Sequence, residues 1–172
     1  PQGSGQGYPF DTLLNMIEKV PNIRAIKDWS NDAMLHEKHI RILQTGVAGR
    51  PITVLTTHSS WLMASLSMGA NGLLSGAGSV IPDLQVAMFQ AIKSDNLKNA
   101  QAINDRIYPL AHAFYAQPFL DMHNRMKECL VLLERQDRAI VRPPLMKLTE
   151  GVSKQLALAQ EHAGLLQIAA AE

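Results

Sequence analysis

Apolar positions along the chain change their spacing after about residue 93. Before that point, short apolar runs typical of buried strands alternate with segments whose apolar residues lie three to four positions apart, as on one face of a helix. The predicted strands cover residues 23–27, 50–56 and a very short stretch within 71–76; the predicted helices cover 10–20, 31–46, 59–69 and 83–93. Alternation of this kind indicates parallel β-α-β units and an α/β fold.

The remainder of the chain has a purely helical pattern. The predicted helices cover residues 95–117, 119–135 and 149–165, with an extended break at "RPPL", residues 142–145. We therefore predict two domains, residues 1–93 with the strand–helix units and residues 94–172 with helices. Three strands form no closed sheet, and a parallel sheet normally has both faces covered. The alternating region is thus expected to be part of a larger α/β sheet or barrel.

The first ten residues, "PQGSGQGYPF", are typical of a loop and lack the basic and apolar regions of a signal peptide. A chain that begins within a loop is expected to be a piece of a longer protein, or to begin with residues of a linker or tag.

Composition narrows the function classes. The 172 residues carry a net charge of +1, so nothing indicates a nucleic acid, a membrane surface or another polyanion as partner. No apolar run reaches the roughly 20 residues that span a bilayer. The single cysteine, Cys129, excludes an internal disulfide and is typical of a reducing compartment, so a cytoplasmic location is expected.

Lys27 ends the apolar stretch "IRAIK" and is followed at once by turn-forming residues. The carboxyl ends of parallel strands carry the chemistry of α/β folds. A lysine among apolar neighbours has a lowered pKa, and its free amine can form a Schiff base with a carbonyl compound. In the alternative interpretation, Lys27 extends to water or pairs with Asp28 or Asp32.

Two loops follow the other predicted strands. Residues 73–82, "LLSGAGSVIP", could bring backbone N–H groups close to a carboxylate or phosphate, but they match no nucleotide-binding motif. Their spacing favours a simple strand-to-helix turn. Residues 56–60, "TTHSS", could line a pocket through their hydroxyls and His58, or simply cap a helix.

Other candidate residues have structural explanations. His36 and His39 are three residues apart, a spacing that could bind a metal, but no third ligand is evident and a solvated helix face is favoured. Cys129 is expected in the core. Trp29 and Trp61 could form the walls of a pocket, although packing is the default.

Three stretches together resemble the dihydrodipicolinate synthase/N-acetylneuraminate lyase superfamily. They are "PNIRAIKDWSND" (21–32), "GANGLLSGAGSVIPDLQVAMFQAIKSDNLKNAQAINDRIYPL" (69–110) and "RPPLMKLTEGVSKQLALAQEHAGL" (142–165). The resemblance implies the C-terminal portion of a (β/α)8 TIM barrel, about strands six to eight, followed by extra helices. It also implies a homo-oligomer, usually a tetramer, with no metal or organic cofactor.

The resemblance further implies a site. Lys27 would form the Schiff base with pyruvate or another 2-oxo acid. Thr57 would lie beside the bound acid, the carbonyl of Leu74 would face it, Ser75 and Gly76 would follow in the pocket loop, and His58 would lie near the distal part of the substrate.

Parts of the family pattern are missing from this sequence. The proton-relaying tyrosine, the threonine pair and the Gly-rich carboxylate-binding loop belong to earlier strands. Gly3 stands where dihydrodipicolinate synthases have an arginine, which favours another member, such as a sugar-acid aldolase or dehydratase. An N-terminal portion is expected to complete the barrel.

The sequence therefore predicts a Schiff-base lyase acting on a 2-oxo acid or sugar acid through Lys27. Two alternatives remain: a helical binding or assembly protein without catalysis, and a lyase-like protein that binds a 2-oxo acid without turnover.

Overall fold

The computed structural model describes residues 7–57 and 59–166, which form two compact units. The first unit ends at Ser75 and the second begins at Gly76. In the first unit, a parallel sheet alternates with helices. Its elements are α1 (Phe10–Lys19), β1 (Ala25–Asp28), α2 (Ala33–Thr45), β2 (Thr53–Thr56), a 3-10 turn (Ser59–Trp61), α3 (Leu62–Ser67) and β3 (Gly72–Leu73).

The three described strands run parallel in the order β1-β2-β3. Lys27 lies opposite Leu55, and Leu55 lies opposite Gly72 in the next strand. Among the described residues, β1 pairs with β2 alone, so its other edge is open. The prediction of α/β units is thereby confirmed, and the first strand includes Asp28, one residue beyond the predicted end.

Local sequence explains how the helix that follows β1 begins and ends. The side chain of Asp32 caps α2 by accepting the N–H of Leu35 at 3.0 Å. Gly46 ends the helix with φ of 128°, a conformation that residues with a Cβ rarely adopt. Helix α1 begins at Phe10 without a side-chain cap and has the acidic residue Asp11 in its first turn.

The core of the first unit lies between the sheet and its helices. Helix α2 packs against β2. The larger apolar side chains that are fully or almost fully buried are Leu13, Ile17, Ile40, Leu43, Ile52, Val54, Leu62 and Leu66. They come from helices and strands alike, as a layered α/β packing requires.

The second unit is helical in the described residues. It comprises a 3-10 turn (Gly76–Ser79), α4 (Pro82–Lys93), α5 (Leu97–Phe114), a 3-10 turn (Phe119–Asp121), α6 (Met122–Leu132) and α7 (Glu150–His162). Helix α4 packs against α5, and α7 packs against α5 and α6. The domain boundary predicted at residues 93 and 94 follows the change of pattern; packing instead places α4 with the later helices.

A buried arginine fixes the turn between α5 and α6. Arg125 donates to the carbonyls of Phe114, Ala116 and Pro118 at 3.1, 2.7 and 3.1 Å. One planar guanidinium thus satisfies three backbone acceptors where the chain leaves α5. No helix among the described residues has both the length and the apolar character to cross a bilayer.

Candidate active site

Lys27 lies next to the last residue of β1 and its side chain is exposed. This differs from the expectation of a lysine surrounded by apolar groups. The alternative pairing with Asp28 or Asp32 is also absent from the described contacts, because Asp32 caps α2 and Asp28 bonds elsewhere. The amine is therefore placed at the reactive end of a parallel strand, where a ligand could reach it.

A cavity of about 640 Å³ lies beside Lys27. Its volume is in the range of small-molecule sites. The lining residues come from the segment before α1, from α1, from β1 and the turn after it, and from α2: Gly7, Tyr8, Leu13, Ile26, Lys27, Asp28, Trp29, Ser30, Leu35 and His39. Lys27 contributes a cationic group and Asp28 a carboxylate to a lining that is otherwise a mixture of apolar and hydrogen-bonding residues.

Asp28, the residue that follows Lys27, is the centre of a buried hydrogen-bond network. Its Oδ2 accepts from Nδ1 of His36 and from Nδ1 of His39, both at 2.7 Å. Its Oδ1 accepts the backbone N–H of Ser30 at 2.8 Å. The far nitrogen of His36, Nε2, lies 2.7 Å from Oγ of Ser65 in α3. We call these four side chains, Asp28, His36, His39 and Ser65, the Asp28 network.

The carboxyl group of Asp28 stays ionised although it is only 5% exposed. Burial raises its pKa, but the hydrogen bonds from His36, His39 and Ser30 outweigh that effect and hold the pKa well below its usual range. The network therefore keeps a negatively charged side chain on the residue that follows Lys27 in β1.

Aromatic rings enclose both histidines. The ring of Trp61 meets His36 edge-on at 5.3 Å between centroids, and Phe10 stacks on His39 at 5.7 Å. Nζ of Lys38 lies 4.1 Å from the centroid of Phe10. These contacts restrict rotation of the two imidazoles.

The order Ser65–His36–Asp28 resembles that of a hydrolase triad, but Ser65 is fully buried and offers no nucleophile to the cavity. Among the described residues, no group of histidine, cysteine, aspartate and glutamate side chains is arranged to hold a metal ion.

The structure does not gather all the predicted site residues around Lys27. Thr57 is buried just after β2, and the N–H of Leu74 donates to the carbonyl of Thr56 at 2.8 Å. Leu74 is exposed and Ser75 half-buried, and neither they nor Thr57 line the cavity. Gly76 begins the 3-10 turn of the second unit. His58 and Gly3 lie outside the described residues.

The expectation of a solvated face for His36 and His39 is wrong, since these side chains are only 1% and 8% exposed. Sequence reasoning missed the role of Asp28, which it treated as a turn residue. The available signal was His39, which shares the apolar side of α2 and therefore needs a buried partner.

Comparison with known proteins now identifies the family. The model of the dihydrodipicolinate synthetase family matches residues 1–163. The chain belongs to this family. The predicted resemblance is thereby confirmed.

Curated relatives carry the name 4-hydroxy-tetrahydrodipicolinate synthase. The protein of Nitrobacter hamburgensis is 30% identical over 96% of this chain and 53% of its own length. That of Erythrobacter litoralis is 28% identical over 91% of this chain and 51% of its own length. The chain therefore spans about half the length of these relatives.

Solved structures of the family share the fold. Dihydrodipicolinate synthase from Thermotoga maritima superimposes with a TM-score of 0.80 at 19% identity, over 91% of this chain and 50% of that one. A prophage protein of the family from E. coli, solved in complex with pyruvate, gives a TM-score of 0.77 at 24% identity, over 90% of this chain and 51% of that one.

Proposed function

We propose that this chain is the lysine-bearing C-terminal portion of a (β/α)8-barrel lyase that forms a Schiff base with pyruvate or another 2-oxo acid through Lys27. The observation that carries the proposal is the position of Lys27: it lies near the carboxyl end of a parallel strand, exposed to a cavity of about 640 Å³, in a chain of the dihydrodipicolinate synthetase family.

The proposed chemistry begins when the free amine of Lys27 attacks the ketone carbon of the acid. A C–N bond forms, and the carbonyl oxygen leaves as water to give the imine. The protonated imine withdraws electrons from the neighbouring carbon. A carbon–carbon bond can then be made or broken there, or a hydroxyl group can be eliminated, without a metal or organic cofactor. Hydrolysis of the imine regenerates the amine.

The remainder of the barrel is the proposed structural partner. Two observations support it: the chain spans about half the length of its relatives, and β1 has an open edge among the described residues. A preceding strand on that edge would pair with the unpaired backbone groups and cover the exposed side of β1. We further propose that the complete protein is a homo-oligomer located in the cytoplasm.

A second function keeps the site but removes the turnover. Its support is the exposed side chain of Lys27 in the cavity lining, because a charge-assisted hydrogen bond from a lysine can hold a carboxylate without a covalent bond. In this function the protein binds a 2-oxo acid through the cationic side chain of Lys27 and the cavity around it.

Borohydride trapping tests the proposal and separates the two functions. The protein, in its complete natural form, is incubated with pyruvate and sodium borohydride and then mapped by peptide mass. We expect a pyruvate-sized adduct on Lys27 that disappears in Lys27→Arg. The matched control is Lys19→Arg, an exposed lysine of the same unit, which should leave the adduct unchanged.

Pyruvate binding without any adduct, in folded protein, would favour the second function. If folded protein showed no pyruvate binding and no adduct, both proposed functions would be overturned.

A further inference from the structure

The Asp28 network joins three elements of the first unit. Asp28 ends β1, His36 and His39 belong to α2, and Ser65 belongs to α3. We propose that the Asp28 network positions Lys27, because it ties the end of β1 to both helices and thereby fixes the backbone from which Lys27 extends. This inference rests on the proposed function of Lys27 and assigns Asp28, His36 and His39 as positioning residues for it.

The hydrogen bonds of the Asp28 network hold the backbone that follows Lys27 in the chain. Oδ2 of Asp28 accepts hydrogen bonds from both imidazoles, and Oδ1 accepts one from the N–H of Ser30. One carboxylate therefore joins α2 to the turn that follows the strand. Lys27 immediately precedes this anchored turn. On its other side, the strand is held by its pairing with β2. The remaining freedom of Lys27 is then that of its own side chain.

The network also fixes the orientation of its rings. Two imidazoles can donate to the same carboxylate only if each carries its proton on Nδ1. In the neutral form, Nε2 of His36 must then accept the hydroxyl of Ser65, which is fully buried and held by α3. Turning either ring would break a bond to Asp28 and disturb its aromatic neighbour.

Stability alone is a weak reason for such a network. A buried charged pair is often no more stabilising than apolar residues of the same volume, because the charges lose their hydration. Its advantage over apolar packing is directional precision. Displacing a reacting group by about 1 Å can lower the reaction rate on the order of 100-fold. Precise placement of the backbone next to Lys27 would therefore raise the rate of imine formation.

The test measures trapping of pyruvate on Lys27 as a function of pyruvate concentration, in the complete protein. Two substitutions break the network: Asp28→Asn removes the charge, and His39→Gln moves the donor one bond away from Oδ2. His39→Asn is the conservative variant, because its amide nitrogen can occupy the position of Nδ1. Glu37→Gln is the matched control, on the same helix but exposed and paired with Arg41.

We expect Asp28→Asn and His39→Gln to lower the maximal trapping rate on the order of 10- to 100-fold. Asp28 and His39 also border the cavity, so the pyruvate concentration that gives half the maximal rate separates the two roles: positioning of Lys27 predicts little change in it, whereas direct contact with pyruvate predicts an increase. His39→Asn should recover most of the rate, and Glu37→Gln should match the wild type.

Wild-type trapping rates in both Asp28→Asn and His39→Gln would overturn the inference. So would equal losses in His39→Asn and His39→Gln, which would indicate a purely structural role. If the wild-type protein is not trapped at all, the proposed function fails, and hydrogen exchange of residues 25–30 then decides the role of the network. Faster exchange there in Asp28→Asn but not in Glu37→Gln supports anchoring of β1; unchanged exchange in both overturns it.

Discussion

Lys27 and Asp28 are consecutive residues of β1, yet Lys27 is exposed whereas Asp28 is buried and accepts hydrogen bonds from two histidines of α2. Side chains of a strand alternate between its two faces. Lys27 therefore presents its amine to the cavity, whereas the carboxylate of Asp28, which also borders that cavity, is anchored to α2 by hydrogen bonds. This division separates the proposed chemistry from its support, so the two can be tested by different substitutions.

Replacing Lys27 should abolish the chemistry and preserve the fold. We expect Lys27→Met to lower lyase turnover by at least about 1000-fold, since the covalent nucleophile is lost. The free energy of unfolding should change by only about 0.5 kcal/mol, because the side chain is exposed. Turnover assays and urea unfolding check the two expectations. Substantial activity in Lys27→Met would exclude the Schiff-base role.

Asp28 should make stability depend on pH in the acid range. Its pKa is lowered in the folded state, so the unfolded chain takes up a proton at a pH where the folded chain resists it. The unfolded state is then favoured as the pH falls, and the stabilisation is lost progressively below about pH 4. Urea unfolding at several pH values between 3 and 7 measures this loss.

The matched comparison for the acid range is Asp28→Asn. It should be less stable than the wild type at neutral pH by about 1–3 kcal/mol, because it weakens buried hydrogen bonds. It should also lose less stability on acidification. Parallel pH profiles of the two proteins would contradict the assignment of this pH dependence to Asp28.

The order and type of the main elements could be predicted because they depend on local patterns. The apolar spacing of residues 10–20 and 31–46 produces α1 and α2. The ends of the elements were less predictable. β1 extends to Asp28, whose carboxylate is stabilised by His36 and His39 of the next helix, whereas aspartate by itself is typical of a turn.

The candidate site was predictable only in part for the same reason. Lys27 could be singled out from its place at the end of an apolar run. The burial of His36 could not, because it depends on Asp28 and on Ser65, which is 29 residues away. Local spacing indicates which face of a helix a residue occupies, but not which strand or helix that face meets.

Cys129 should be unreactive in the folded protein. Its thiol is fully buried in α6, and burial raises its pKa to about 12, with a smaller contribution from the charge of Glu128. The thiolate that attacks a thiol reagent is therefore almost absent at pH 8. We expect a thiol reagent to label Cys129 slowly under native conditions and rapidly in urea, as measured by mass spectrometry. Labelling of native protein at the rate of an unfolded thiol would place Cys129 outside the core.

Arg125 should be among the most sensitive positions of the second unit. It is only 3% exposed and donates to three carbonyls of the chain between α5 and α6. Arg125→Met keeps much of the side-chain volume but leaves these acceptors without a donor, so we expect a loss of about 2–4 kcal/mol in the free energy of unfolding. Arg125→Lys should recover part of it, since a single ammonium cannot reach three acceptors in the geometry of the planar guanidinium.

The matched control for this position is Arg138→Met. This arginine is exposed, so the substitution should change the free energy of unfolding by no more than about 0.5 kcal/mol. Chemical unfolding of the four proteins under one set of conditions gives the comparison. If Arg125→Met were as stable as Arg138→Met, the carbonyls of Phe114, Ala116 and Pro118 would have to find other donors, and the turn between α5 and α6 would not depend on the guanidinium.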